Sequence, residues 1–115
     1  MRKRSKIPAN RKIAKRRLAE LIAEATVDCY NDSEAATGFL TMIEEHLALP
    51  FVTTLLDVEV SVSGVAVNDD GCIVAICRRG SACQRLPILD LPLPSPPPAG
   101  SAWIEAYRAW RRGSW

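Results

Sequence analysis

Leu56-Asp57-Val58-Glu59-Val60-Ser61-Val62-Ser63 is the stretch on which the fold turns. Apolar and polar residues alternate one for one, and successive side chains of an extended chain point to opposite faces. The stretch is therefore a strand with one face buried and one in water, and the pattern predicts it over about 55–67. Asn68-Asp69-Asp70-Gly71 follows, a set of residues that tolerates positive φ and turns the chain back. Residues 72–79 make the returning strand, Arg79-Gly80-Ser81 turns again, and residues 83–89 make a third. Three short antiparallel strands in succession predict a meander that forms part of a small barrel.

Upstream the period is helical. Ile13, Leu18, Leu21, Ile22 and Ala25 recur at helix spacing and predict a helix over about 11–30. Asn31-Asp32-Ser33 breaks it, and Asp32 or Ser33 can cap the free amides of a second helix over about 33–48. There Phe39, Met42, Ile43 and Leu47 form the apolar stripe, and Pro50 closes the segment. Downstream, Leu91-Pro92-Leu93-Pro94-Ser95-Pro96-Pro97-Pro98 has five residues without an amide donor, so it continues neither helix nor sheet and reads as an extended connector. Ser101 then caps a closing helix over about 101–112, with Trp103, Tyr107 and Trp110 as an aromatic stripe that docks on the core. The fold class is thus α+β in one domain over 11–115, preceded by a disordered basic tail over 1–10.

Charge is divided sharply between these parts. Residues 1–17 carry nine bases (Arg2, Lys3, Arg4, Lys6, Arg11, Lys12, Lys15, Arg16, Arg17) and no acid, which leaves the rest of the chain with six bases against thirteen acids, a net of −7. A tail of that density can neutralise phosphates and bind nucleic acid or an acidic partner in a salt-sensitive way. No aromatic residue lies among those charges, so base stacking is absent.

Other chemistry is weakly represented. The apolar runs fall short of the roughly 20 residues a membrane span needs, and no apolar segment follows the basic start as a secretory leader requires. These readings point to the cytoplasm, where Cys29, Cys72, Cys77 and Cys83 are expected as free thiols. Cys72 and Cys77 lie five apart and face opposite sides of a strand, a poor arrangement for zinc with His46, the single histidine. Gly64, Gly71 and Gly80 are isolated turn glycines rather than a phosphate loop, and no nucleophile–base motif is present, so no enzymatic activity is expected.

Several segments together resemble a known family. Val27-Asp28-Cys29-Tyr30, Thr37-Gly38-Phe39-Leu40-Thr41-Met42-Ile43-Glu44-Glu45 and Leu49-Pro50-Phe51 come first. Asp57-Val58-Glu59-Val60, Ile76-Cys77-Arg78-Arg79-Gly80, Leu86-Pro87-Ile88-Leu89-Asp90-Leu91 and Trp103-Ile104-Glu105-Ala106-Tyr107 follow in order. They resemble the CcbP-type calcium-binding protein family, the cyanobacterial calcium-binding protein and its bacterial relatives, from about residue 18 to 112.

The resemblance implies a helical pair, an SH3-like β-meander or barrel and a closing helix, with calcium bound by clustered carboxylates outside any EF-hand loop. The candidate ligands are Asp28, Asn31, Asp32 and Glu34 at the helix junction, joined by Glu44 and Glu45 one helix further on. Residues 31–36 hold two acids where the family pattern is rich in Glu. Each candidate also has a plain structural use: Asp32 as a cap, Glu44 and Glu45 as a solvated face, Asp28 as an arginine partner. Asp69 and Asp70 are a weaker second set. A calcium buffer or sensor is the function implied. The alternative is a non-enzymatic adaptor acting through the basic tail, with a protein partner also open to the Arg78–Arg79 hairpin and Trp115.

Overall fold

The structure, a computed structural model, describes residues 14–113. The basic tail expected over 1–10 lies outside them, as does Trp115. The elements run α1 (Lys15–Ala25), α2 (Asp32–His46), β1 (Phe51–Leu55), β2 (Val58–Val67), β3 (Ile73–Arg79), β4 (Ala82–Pro87), a short 3-10 turn (Ile88–Asp90) and α3 (Ser101–Arg112). The four strands form one antiparallel sheet in the order β1-β2-β3-β4.

The strand expected over 55–67 is in fact two. Phe51 pairs with Val62, Thr53 with Val60 and Leu55 with Val58, so Leu56 and Asp57 are the two residues of a tight hairpin turn. Their φ values are +48° and +63°, the left-handed region that such a turn requires and that Asn-Gly ordinarily fills. Leu56, read from the alternation as buried, is 98% exposed at the tip. A bulge between Val62 and Gly64 then shifts the phase of β2, keeping Val65 on the inward face with Val62.

α1 is shorter than expected at its C-terminal end. Thr26 turns its hydroxyl back onto the Ile22 carbonyl at 2.7 Å, and Asp28 takes a φ of +62°, which no helix continues through. Ser101 is already helical; the residue before it, Gly100, sits at φ +86°, and a Cβ there would overlap the His46 carbonyl. Glycine therefore lets the start of α3 press against the end of α2.

The core lies between the helices and the inward face of the sheet. Leu21 and Ile22 of α1, Phe39 and Ile43 of α2, and Ile104 and Tyr107 of α3 meet Val62, Ile73 and Ala75. The Phe39 and Tyr107 rings contact edge to face at 5.5 Å, and Trp110 packs on Phe39 at 5.3 Å, so the aromatic stripe of α3 docks as its spacing suggests. The Tyr107 hydroxyl accepts the buried Ile73 amide at 3.1 Å, fixing α3 to the start of β3.

The sheet does not close into a barrel. After β4 the chain crosses toward β1, where Thr53, the one buried polar residue among those described, donates its hydroxyl to the Pro92 carbonyl at 2.6 Å. Pro92 and Pro94 have no amide to give, so this crossing cannot extend the ladder as a fifth strand. Arg108 secures the other end of the crossing: its Nε and Nη2 reach the Ile88 carbonyl at 3.1 and 2.9 Å, and Nη2 also reaches that of Leu91.

Candidate functional site

The junction of α1 and α2 gathers four of the six expected calcium ligands. Gly38 makes the close approach possible, because a Cβ there would overlap the Ala25 carbonyl at the end of α1. The chain between the helices is short and locally bonded. Cys29 donates its amide to the Thr26 carbonyl at 3.0 Å, and its thiol lies 3.5 Å from the Glu34 carbonyl. The turn borders an open hollow of about 300 Å³ whose lining includes Tyr30, Asn31, Asp32 and Trp110.

Within this turn two of the expected ligands have structural duties. Asn31, not Asp32 or Ser33, is the cap of α2, its Oδ1 accepting the Glu34 amide at 2.8 Å. Glu34 reaches back, its Oε1 accepting the Tyr30 amide at 2.7 Å. This reciprocal pair is a capping box shifted by one residue, and it satisfies one amide that the helix start would leave free, that of Glu34, and one in the turn before it, that of Tyr30. Asp28 and Asp32 are exposed and make no ion pair among the described residues, with Asp32 placed in the first turn of α2 where the helix dipole favours a negative charge.

Glu44 and Glu45 do not join this group. They lie on the same helix ten and eleven positions beyond Glu34, about 15 Å along its axis. Ligand oxygens of one calcium ion, each within about 2.6 Å of it, stand no more than roughly 5 Å apart. The six residues thus cannot share an ion. Among the described residues no group of three or more His, Cys, Asp or Glu side chains is arranged to hold a metal. The side chains of the junction do not by themselves make a complete calcium shell; two free carboxylates and a third with one oxygen engaged in capping are what they offer.

The other sequence candidates are also placed. Asn68 organises the β2–β3 turn, its Oδ1 accepting the amides of Asp70 and Cys72 at 3.0 Å each, so Asp69 and Asp70 occupy a turn built by their neighbour. Lys15, Arg16 and Arg17 are exposed on the first turn of α1, and Arg17 meets Glu20 at 3.3 Å. Arg2, Lys3, Arg4, Lys6, Arg11 and Lys12 lie outside the described residues. The four cysteines are free, with Cys77 on the inward face of the sheet and Cys83 exposed on the neighbouring strand. Burial, then the nearby Cys83 thiol, pushes the Cys77 thiol pKa up.

One concave surface was not anticipated. The half of the inward sheet face remote from the helices is left open as a groove of about 610 Å³. Its position depends on sheet curvature and on the crossing at Pro92, neither of which sequence periodicity reports.

The architecture defines a class: a helical pair and a closing helix packed on one face of an open four-stranded meander. No family model matches the chain, and no curated protein does. Among solved structures, CcbP of Anabaena superposes with a TM-score of 0.62 at 17% identity, covering 91% of this chain and 97% of that one. The chain has a CcbP-like fold. Among the described residues no helix is long and apolar enough to cross a membrane.

Proposed function

We propose that this chain is a non-enzymatic calcium-binding protein of weak affinity, its ion held at the α1–α2 junction by Asp28 and Asp32. The observation that carries the reading is the CcbP-like fold along nearly the whole chain, with an acidic turn left open to solvent between its first two helices. Backbone carbonyls and water complete the shell, and Glu34 can add its Oε2 while its Oε1 holds the Tyr30 amide. Few charges and a competing cap place the affinity near the weak end of known calcium sites, about 10⁻⁴–10⁻³ M. Such a protein answers large calcium excursions and leaves resting levels untouched.

Calorimetric titration of chelator-stripped protein with calcium, repeated with magnesium, tests this. Saturable heat with calcium preferred, lost in the Asp28→Asn, Asp32→Asn double variant and kept in Glu44→Gln, Glu45→Gln, is the expected result. Absence of both heat and thermal stabilisation at millimolar calcium removes the reading.

A second reading has one observation in its favour. Lys15 and Arg16 stand exposed on a helix turn that holds no acid, continuing the basic run of the sequence onto folded structure. An adaptor that binds nucleic acid through this run should show affinity for a duplex oligonucleotide that falls linearly on a log–log plot against salt. Deleting residues 1–16 should abolish that binding without changing any calcium response.

A further inference from the structure

The open groove on the inward face of the sheet is built from three kinds of residue. Leu55, Val58, Val60, Leu86 and Pro92 form its apolar walls. Its volume of about 610 Å³ lies within the ~300–1,000 Å³ typical of small-molecule sites. Arg78 and Arg79 line the groove at the β3–β4 hairpin, and neither meets a carboxylate within ion-pair distance among the described residues. In a body that is otherwise acidic, three of the six bases beyond residue 17 sit on this hairpin strand pair, as Arg78, Arg79 and Arg85. Asp90 is the one acid among the lining residues, set against the two arginines.

Leu56 is the third element. It occupies the tip of the opposite hairpin in a left-handed conformation that leucine rarely adopts, and it is almost wholly exposed. Asn or Gly would relieve the backbone and remove apolar surface from water together. The residue found there is costly on both counts unless something apolar comes to rest against it.

We propose that the groove binds an aliphatic chain ending in a carboxylate. The chain lies along Leu55, Val58, Val60 and Leu86, Leu56 covers its exposed side, and the carboxylate rests on the guanidinium of Arg79, which shares the inward face with Cys77, with Arg78 at the groove's rim. Guanidinium–carboxylate bonding supplies orientation, and the apolar walls supply most of the affinity. This site is separate from the α1–α2 junction and stands or falls independently of calcium.

The probe is decanoate below its micelle-forming concentration, titrated into full-length protein while amide NMR shifts are followed, with decyltrimethylammonium and acetate as parallel titrations. Saturable shifts confined to the groove residues, with neither parallel compound producing them, are expected. The Arg78→Gln, Arg79→Gln double variant should weaken decanoate roughly tenfold or more. Leu56→Asn should weaken it about three- to tenfold while raising the melting temperature, a pairing that loss of folding cannot produce. No groove shifts with decanoate, or equal binding of the cationic amphiphile, overturns the proposal. So does undiminished decanoate binding in the arginine double variant.

Discussion

Replacing Gly38 with alanine sets two terms of opposite sign against each other. In a helix interior alanine is favoured over glycine by about 0.5–1 kcal/mol, because it has less backbone freedom to lose. Against this, the new methyl would overlap the Ala25 carbonyl oxygen, lie 3.2 Å from its carbon and 3.6 Å from the Cys29 sulfur. The obstructing atoms are backbone, so no rotamer change relieves them; the last turn of α1 must move off α2. Overpacking of this kind costs about 1–3 kcal/mol, and the difference leaves a net destabilisation of up to about 2.5 kcal/mol. Denaturant unfolding should show it as a lower midpoint at unchanged slope, and thermal unfolding as a fall of up to roughly 10 °C. Amide shifts at Tyr30–Glu34 should move as well, because the acidic turn hangs from the displaced end of α1. A stabilisation of 0.5 kcal/mol or more, the propensity gain alone, would refute the close approach of the two helices and with it the placement of the turn.

Tyr107→Phe should cost about 1–3 kcal/mol in denaturant unfolding, because the Ile73 amide is left buried without its acceptor. Asn31→Ala removes the α2 cap and should cost about 0.5–2 kcal/mol; a calcium affinity unchanged by it would confine Asn31 to that structural role. The raised pKa of Cys77 means that the folded state holds its thiol proton where the unfolded chain has released it. Its stabilising contribution is therefore complete below the ordinary thiol value of 9.0 and is lost as pH rises through the folded value. Unfolding free energies measured from pH 7 to 10 should decline above 9, and Cys77→Val should flatten that decline.

Elements with strong periodicity were legible in the sequence. The apolar stripe of α2 at Phe39, Ile43 and Leu47 is buried as its spacing demands, and the turn at Asn68–Gly71 is where its chemistry places it. β1 is hidden in the sequence because its hairpin turn is Leu56-Asp57: leucine carries no turn signal, and Asp57 falls in a polar slot of the alternation, which therefore runs on across the turn. The barrel was over-read for a different reason: four strands leave two edges, and the proline crossing that bridges them has too few donors to complete the ring. The junction candidates were found by residue type, yet type does not separate a ligand from a cap. Glu34 and Asn31 bond each other's ends of the turn, and Glu44 and Glu45 fail on helix rise alone.

The packing of α1 against α3 has a consequence for how the chain is made. α1 ends at Ala25 and its partner begins at Ser101, so a ribosome adding roughly 5–20 residues per second leaves α1 waiting about 4–15 s for the surface that buries Leu21 and Ile22. The meander, whose pairings are all between neighbouring strands, can assemble during that interval. It does so with the inward faces of Val62 and Ile73 still awaiting α3, Tyr107 and Trp110 being among the last side chains to arrive. Nascent chains stalled before residue 101 should therefore be held by chaperones and cut readily by protease, and chains released past residue 113 should not.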